Sequence, residues 1–204
     1  MTALTLNLDV IVQLTDDAFY TLCQANPELK FERTSVGELI VMPPTGGETG
    51  RRNLNLSMQL GIWSKQTKLG EAFDSSTMFQ LPNGAYRSPD ASWILSPRWE
   101  ALSVKEREVF PPICPDFVVE LRSPSDSLKT IQNKMQEYID NGARLGWLLD
   151  PQGQQVEIYR LGQEKQALLS PTSLSSEEVL PGFVLNLREI LYSSKSILCY
   201  YCLV

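Results

Sequence analysis

Asp90 and Glu120 are the side chains of this chain whose type and setting most call for chemistry. Asp90 follows Pro89 at the head of the run Ala91-Ser92-Trp93-Ile94-Leu95, and Glu120 comes just after Phe117-Val118-Val119. Both runs read as strands, and a carboxylate inside a buried strand costs on the order of several kcal/mol unless something pairs with it. Alternation puts Asp90, Ser92 and Ile94 on one face, and Asp116, Val118 and Glu120 on one face of the later strand. If the two strands are neighbours, the carboxylates of Asp90 and Glu120 converge at one edge of the sheet. The chain contains no histidine, which removes Ser-His-Asp triads, Cys-His dyads, imidazole zinc sites and the usual general base. Two carboxylates without histidine suit a hard divalent cation, Mg²⁺ or Mn²⁺, completed by a backbone carbonyl and water. A structural reading stands beside this one: Asp90 caps a turn after its proline, and Glu120 pairs with Arg122.

The elements that must position the pair lie between residues 115 and 151. Phe117 to Leu121 is short, apolar and β-branched, as a strand buried on both faces would be. Ser123-Pro124-Ser125-Asp126 has the pattern of a helix start, with Ser123 as N-cap and proline at the first helical position. Leu128, Ile131, Met135, Tyr138 and Ile139 follow with helical spacing, and Asn141-Gly142 supplies the stop. Leu145 to Asp150 is a second buried strand. Strand, helix and strand in this order form a βαβ unit with parallel strands.

The remainder of the chain frames this unit. Thr15 caps a short helix carrying Phe19, Leu22 and Cys23. Residues 31–34 and 38–42 form a hairpin around Ser35-Val36-Gly37. Thr45 and Glu48 have capping-box spacing before a long helix to about Thr67, with Leu54, Met58, Ile62 and Trp63 on its core side. Residues 77–81 and 86–95 flank Pro82-Asn83-Gly84, a strong hairpin signal. Residues 97–114 make a short helix and loop, 156–160 a strand with one exposed face, and 168–169 and 183–187 edge strands.

With 204 residues, 43% of them hydrophobic, the chain can bury the core of one domain. No run approaches the ~20 apolar residues of a membrane helix, and residues 1–12 lack a basic signal-peptide start. Cytoplasmic placement is therefore expected. Cys199 and Cys202 form a Cys-x-x-Cys pair without the two further ligands a zinc ion needs. The tail 191–204 carries no pattern and is expected to be peripheral. The net charge of −6 argues against nonspecific polyanion binding but leaves a local basic groove open.

Pro89-Asp90 followed by Glu120-x-Arg122 resembles the Pro-Asp…Asp/Glu-x-Lys signature of the restriction-endonuclease-like fold. The ordered segments Met42-Pro43-Pro44-Thr45-Gly46-Gly47-Glu48, Leu81-Pro82-Asn83-Gly84, Arg87-Ser88-Pro89-Asp90 and Pro115 to Glu120 sharpen the resemblance. So do Ser123-Pro124-Ser125-Asp126, Lys134-Met135, Glu137-Tyr138 and Trp147 to Pro151. Together they resemble the Uma2 family, also called DUF820, over roughly residues 10–190. That resemblance implies an α/β fold, a mixed sheet flanked by helices, in one nuclease-like domain. It also implies a metal site at Asp90, Glu120 and the Leu121 carbonyl.

Arg122 occupies the signature's lysine position, and arginine cannot give up its proton. The resemblance implies that Lys134, from the following helix, serves instead; it lies at the edge of the buried stripe, where a long side chain can reach inward. An ordinary solvated helix lysine is the alternative. Glu48 is a second-tier candidate, explained equally by capping, as is Arg122. Arg51, Arg52 and Arg87 are candidate phosphate contacts.

The expected function is Mg²⁺-dependent hydrolysis of DNA phosphodiester bonds by a carboxylate–metal–lysine site. The alternative is a catalytically inactive nuclease-fold module that binds nucleic acid or a protein. A two-carboxylate glycoside hydrolase fits the residue types but lacks an aromatic groove. Cutting both strands takes two sites, which makes a homodimer a natural assembly.

Overall fold

The computed structural model describes residues 3–8, 12 and 14–192; of the tail 191–204 only Leu191 and Tyr192 are among them, and the rest, with Cys199 and Cys202, lies outside the described residues. The first half runs β1 (Leu4–Leu6), α1 (Asp16–Ala25), β2 (Lys30–Arg33), β3 (Leu39–Met42), α2 (Gly47–Thr67) and β4 (Gly70–Asp74). There follow β5 (Phe79–Gln80), β6 (Tyr86–Arg87), β7 (Ala91–Leu95), α3 (Ser96–Glu100) and α4 (Val104–Glu108). The second half contains β8 (Phe117–Leu121), α5 (Leu128–Asp140), β9 (Leu145–Asp150), β10 (Gln155–Arg160) and β11 (Gln166–Leu169). It closes with β12 (Ser173–Ser175), β13 (Val184–Asn186) and α6 (Arg188–Leu191).

The central unit forms as its sequence dictates. β8 and β9 are parallel neighbours, with Glu120 level with Leu148, and α5 crosses between them. They lie at the middle of a six-stranded mixed sheet ordered β11-β10-β9-β8-β7-β4. Every residue of β8 and β9 is buried, which accounts for two nearly continuous apolar runs. On one face, Leu56, Leu60 and Trp63 of α2 pack on Trp93, Phe117 and Trp147. On the other, Ile131, Met135, Tyr138 and Ile139 of α5 pack on Ile94, Val118 and Leu148.

A second, five-stranded sheet, β1-β3-β2-β6-β5, was not anticipated. Its origin is local. Residues 86–95 read as one strand, but Pro89 lacks the N–H that a ladder needs. The chain breaks at Ser88-Pro89-Asp90, so β6 joins β2 and β5 while β7 joins β8 and β4. Asp90 thus stands where the chain passes from one sheet to the other, and β2 is brought alongside.

Five other expectations need correction. α5 begins at Leu128 with Ser127 as N-cap, its hydroxyl accepting from Thr130 N. Ser123 to Asp126 closes instead into a turn, because the Asp126 carboxylate accepts from Ser123 N and Asp126 N donates to Ser123 O. α2 starts after Gly46 without a side-chain cap, since Glu48 is drawn to Arg51 and Arg52. Its inward residues are Leu56, Leu60, Trp63 and Ser64, whereas Leu54, Met58 and Ile62 are 69%, 52% and 51% exposed. The helix carries two apolar stripes, and periodicity alone does not say which one meets the sheet. β10, expected to have one face in water, is buried from Val156 to Tyr159. Val184–Asn186 pairs with β12 in a separate ribbon rather than lengthening the sheet.

One glycine makes room for the end of a core side chain between α5 and the sheet. A Cβ on Gly146 of β9 would lie 2.4 Å from Met135 Cε and 3.3 Å from Val118 Cγ2. Gly146→Val is therefore expected to displace the buried Met135 side chain and to lower stability by about 1–3 kcal/mol through overpacking. A melting temperature within a degree of wild type would contradict this packing.

Candidate active site

β7 runs antiparallel to β8 with Ala91 opposite Val119, so the next pair outward sets Asp90 opposite Glu120. Asp90 is held from two layers: its Oδ2 accepts from Leu121 N at 2.8 Å, and its Oδ1 accepts from Asn53 Nδ2 of α2 at 2.9 Å. Asn53 Oδ1 is buried and has no partner of its own. Glu120 is 7% exposed. Its Oε1 accepts from the Tyr138 hydroxyl at 3.0 Å and lies 2.9 Å from Lys134 Nζ.

Both partners of Glu120 come from α5, Lys134 and Tyr138 being one turn apart on its inner side. Lys134 is not solvated. Its amine also reaches Glu32 Oε1 at 2.8 Å and Ser88 O at 3.4 Å. Glu32, from β2, is 2% exposed; it accepts from Ser88 N at 3.0 Å and from Arg87 Nη1 at 3.1 Å. Arg87 in turn gives its Nε–H to Glu137 Oε2 at 2.6 Å.

Three carboxylates, Glu120, Glu32 and Glu137, thus surround two cations, Lys134 and Arg87, and Asp90 adds a fourth beside Glu120. When all are ionised this cluster carries two negative charges in excess. Burial pushes the Glu120 carboxyl up to about 7, against the pull of Lys134 and with the charges of Asp90 and Glu32 adding to the rise. Glu32 is displaced the other way: burial would raise it, but Lys134 and Arg87 with their hydrogen bonds hold it below the usual carboxylate range. Lys134 is raised, because Glu120 and Glu32 outweigh the effect of burial. The Tyr138 hydroxyl is also pushed up, by burial and the adjacent carboxylates. The two acids therefore differ in kind. Glu32 is a settled counter-ion, while Glu120 lacks a full complement of positive charge.

Glu120 makes the metal-free protein pH-sensitive. Its folded value near 7 exceeds the ~4.3 of an unfolded chain, so its contribution to stability is present below about pH 4 and lost as pH rises through 7. In EDTA, the wild-type melting temperature should fall between pH 5 and pH 9 by roughly 5–10 °C more than that of Glu120→Gln. Parallel curves for the two proteins would show that Glu120 is not strained by its charge.

Other sequence-chosen residues lie elsewhere. Arg122 pairs with Asp150 at 2.9 Å and donates to Asp126 O, not to Glu120. Arg87, a candidate phosphate contact, is 8% exposed with its donors turned to Glu32 and Glu137, which places it inside the charge cluster. Glu48 is exposed and bonded to Arg51 and Arg52; the α2 residue that meets Asp90 is Asn53. Arg51 is the more accessible of the two arginines, and its guanidinium also donates to Glu189 O. Sequence reading missed Glu32, Asn53 and Glu137. Lys30-Phe31-Glu32-Arg33 alternates like a half-exposed strand, so its buried acid gives no signal.

A divalent cation fits this donor set. The excess negative charge, the strained Glu120 and the unpartnered Asn53 oxygen beside Asp90 all favour added positive charge. Among the described residues no group of three or more acidic or cysteine side chains forms a cage. A site of two carboxylates is the arrangement usual for Mg²⁺, which keeps several waters and shares substrate phosphates.

A family model described as "Putative restriction endonuclease", Uma2, matches residues 16–188. Among solved structures, the crystal structure of a "putative nuclease belonging to DUF820" from Anabaena variabilis ATCC 29413 is similar. The two share 21% identity and superpose with a TM-score of 0.68 over 80% of this chain and 90% of that one. At that identity the likeness concerns the fold. No curated protein matches the chain.

Proposed function

The chain belongs to the Uma2 family, and on that premise we propose that it is a metal-dependent endonuclease that hydrolyses phosphodiester bonds of DNA. The observation that carries this reading is the juxtaposition of Asp90 and Glu120 across the β7–β8 ladder with the Lys134 amine 2.9 Å from Glu120. Asp90, Glu120 and the Leu121 carbonyl are the groups that would hold Mg²⁺ or Mn²⁺. When bound, the ion lowers the pKa of a coordinated water and neutralises charge on the scissile phosphate.

The other roles belong to the chain's own side chains. Asn53 and the Leu121 amide fix the Asp90 carboxylate, and Tyr138 fixes that of Glu120. Lys134 donates hydrogen bonds to the water and to the negative charge that develops on the phosphoryl oxygens. Water gives up a proton to solvent as it adds to phosphorus, the P–O bond to one sugar breaks, and the leaving oxygen takes up a proton from solvent. Arg51 and Arg52, at the start of α2, contact flanking phosphates, and their share of the affinity weakens with salt. A homodimer would present two such sites to a duplex.

One observation favours the second reading, an inactive module. Every oxygen of Asp90 and one of Glu120 already accept from protein donors. The two readings part on incubation of supercoiled and linear DNA with the purified protein. Nicking or cutting that requires Mg²⁺ or Mn²⁺, is stopped by EDTA and is lost in Asp90→Asn supports the enzyme. DNA binding without any cleavage in either metal supports the module.

A further inference from the structure

We propose that Glu32 is a positioning residue for this reaction, holding the Lys134 amine in place independently of Glu120. The inference rests on the role of Lys134 given above. Glu32 belongs to a different sheet from Glu120, yet its two oxygens meet the lysine and the segment that leads into Asp90. Oε1 takes the Lys134 amine at 2.8 Å and Ser88 N at 3.0 Å, while Oε2 takes Arg87 at 3.1 Å.

A lysine ammonium has three protons to donate, and three acceptors surround this one: Glu32, Glu120 and Ser88 O. Glu120 is also a proposed metal ligand. If it alone anchored the amine, any turn of Glu120 toward a cation would carry the lysine with it or release it. Glu32 and Ser88 O keep the amine where it is in either event. Burying an acid in a strand is costly, and apolar residues of similar size often serve stability as well. Here the charge meets Lys134, Arg87 and Ser88 N directly.

The test uses Glu32→Gln, which keeps shape and loses charge, together with Glu32→Asp and Lys134→Met. Single-turnover cleavage by Glu32→Gln should fall on the order of 10–10²-fold, the scale of a misplaced reacting group, with DNA affinity within about twofold of wild type. Added to Lys134→Met, the same change should alter the remaining rate by less than about twofold, because Glu32 acts through the lysine.

A second readout needs no activity. Nitrogen-15 NMR of lysine ammonium groups should show one slowly exchanging signal in wild type that is missing from Lys134→Met, and Glu32→Gln should lose it or hasten its exchange at least about tenfold. If Glu32→Gln does not fold, Glu32→Asp, which keeps the charge but withdraws it by one methylene, should show the same direction in both readouts. An unchanged ammonium signal in the folded variant, or a rate loss that adds fully to that of Lys134→Met, overturns the proposal. If wild type cleaves nothing, the nuclease reading fails, and the ammonium signal alone decides where Glu32 holds the lysine.

Discussion

Asp90→Asn is expected to abolish metal-dependent cleavage, a loss on the order of 10³-fold or more, the scale of removing a group the reaction cannot proceed without. Folding should be untouched. The new side chain has the same shape, and its oxygen can still accept from Leu121 N, as Asp90 Oδ2 does now. Its amide would face Asn53, whose own Oδ1 is buried without a partner. Rotation of the Asn53 amide then lets its Oδ1 accept from the new amide in place of the bond its Nδ2 now donates to Asp90, and one charge leaves a crowded cluster. The melting temperature in EDTA should accordingly match or exceed that of wild type. Cleavage that survives in a preparation free of contaminating nuclease would remove Asp90 from the mechanism. A large loss of stability would show instead that its charge serves the fold.

Lys134→Ala is expected to cost on the order of 10² or more in rate, as removal of one positioned electrostatic donor does. Unlike Asp90→Asn it should also destabilise the protein, by about 3–5 kcal/mol, because Glu32 and Glu120 both lose a buried counter-ion. The two effects separate with pH. Lys134 is what holds Glu120 down against burial, so without it the Glu120 carboxyl rises further above its unfolded value. Stability from such a group is present at low pH and lost as pH rises through the folded value. The variant should therefore approach wild-type stability near pH 5 and diverge from it above pH 7, whereas the rate deficit persists at every pH where wild type cleaves. A variant equal to wild type in both stability and rate would return Lys134 to the status of an ordinary helix lysine.

The parts of this site that could be read from the sequence are those governed by short-range pattern. β8, α5 and β9 are contiguous, strongly patterned and closed by Asn141-Gly142, so their order and parallel pairing follow from the chain itself. Lys134 is singled out by the family resemblance, and its place beside Ile131 and Tyr138 agrees with the side of the helix that meets the sheet. The rest depends on contacts between distant segments. Glu32 lies 102 residues from Lys134, and its alternating surroundings look solvent-facing until β2 is laid beside β6. Asn53 is a polar residue on a helix with two apolar stripes, and choosing the wrong stripe in phase turns it away from Asp90. Pro89 carried the missing information about the second sheet: a proline inside a presumed strand marks the point where the ladder changes partners. Arg122 turns to Asp150 and not to Glu120 because a residue two positions on shares a face only while the strand continues, and β8 ends at Leu121.

Diffraction from crystals soaked in Mn²⁺, collected where manganese scatters anomalously, shows whether Asp90 and Glu120 share an ion. The expected result is one strong anomalous peak between the Asp90 and Glu120 carboxylates and near the Leu121 carbonyl, with Lys134 still bonded to Glu32; the peak is absent from Asp90→Asn. No peak at that position in well-occupied crystals, with Lys134 still seated on Glu120, would contradict the account.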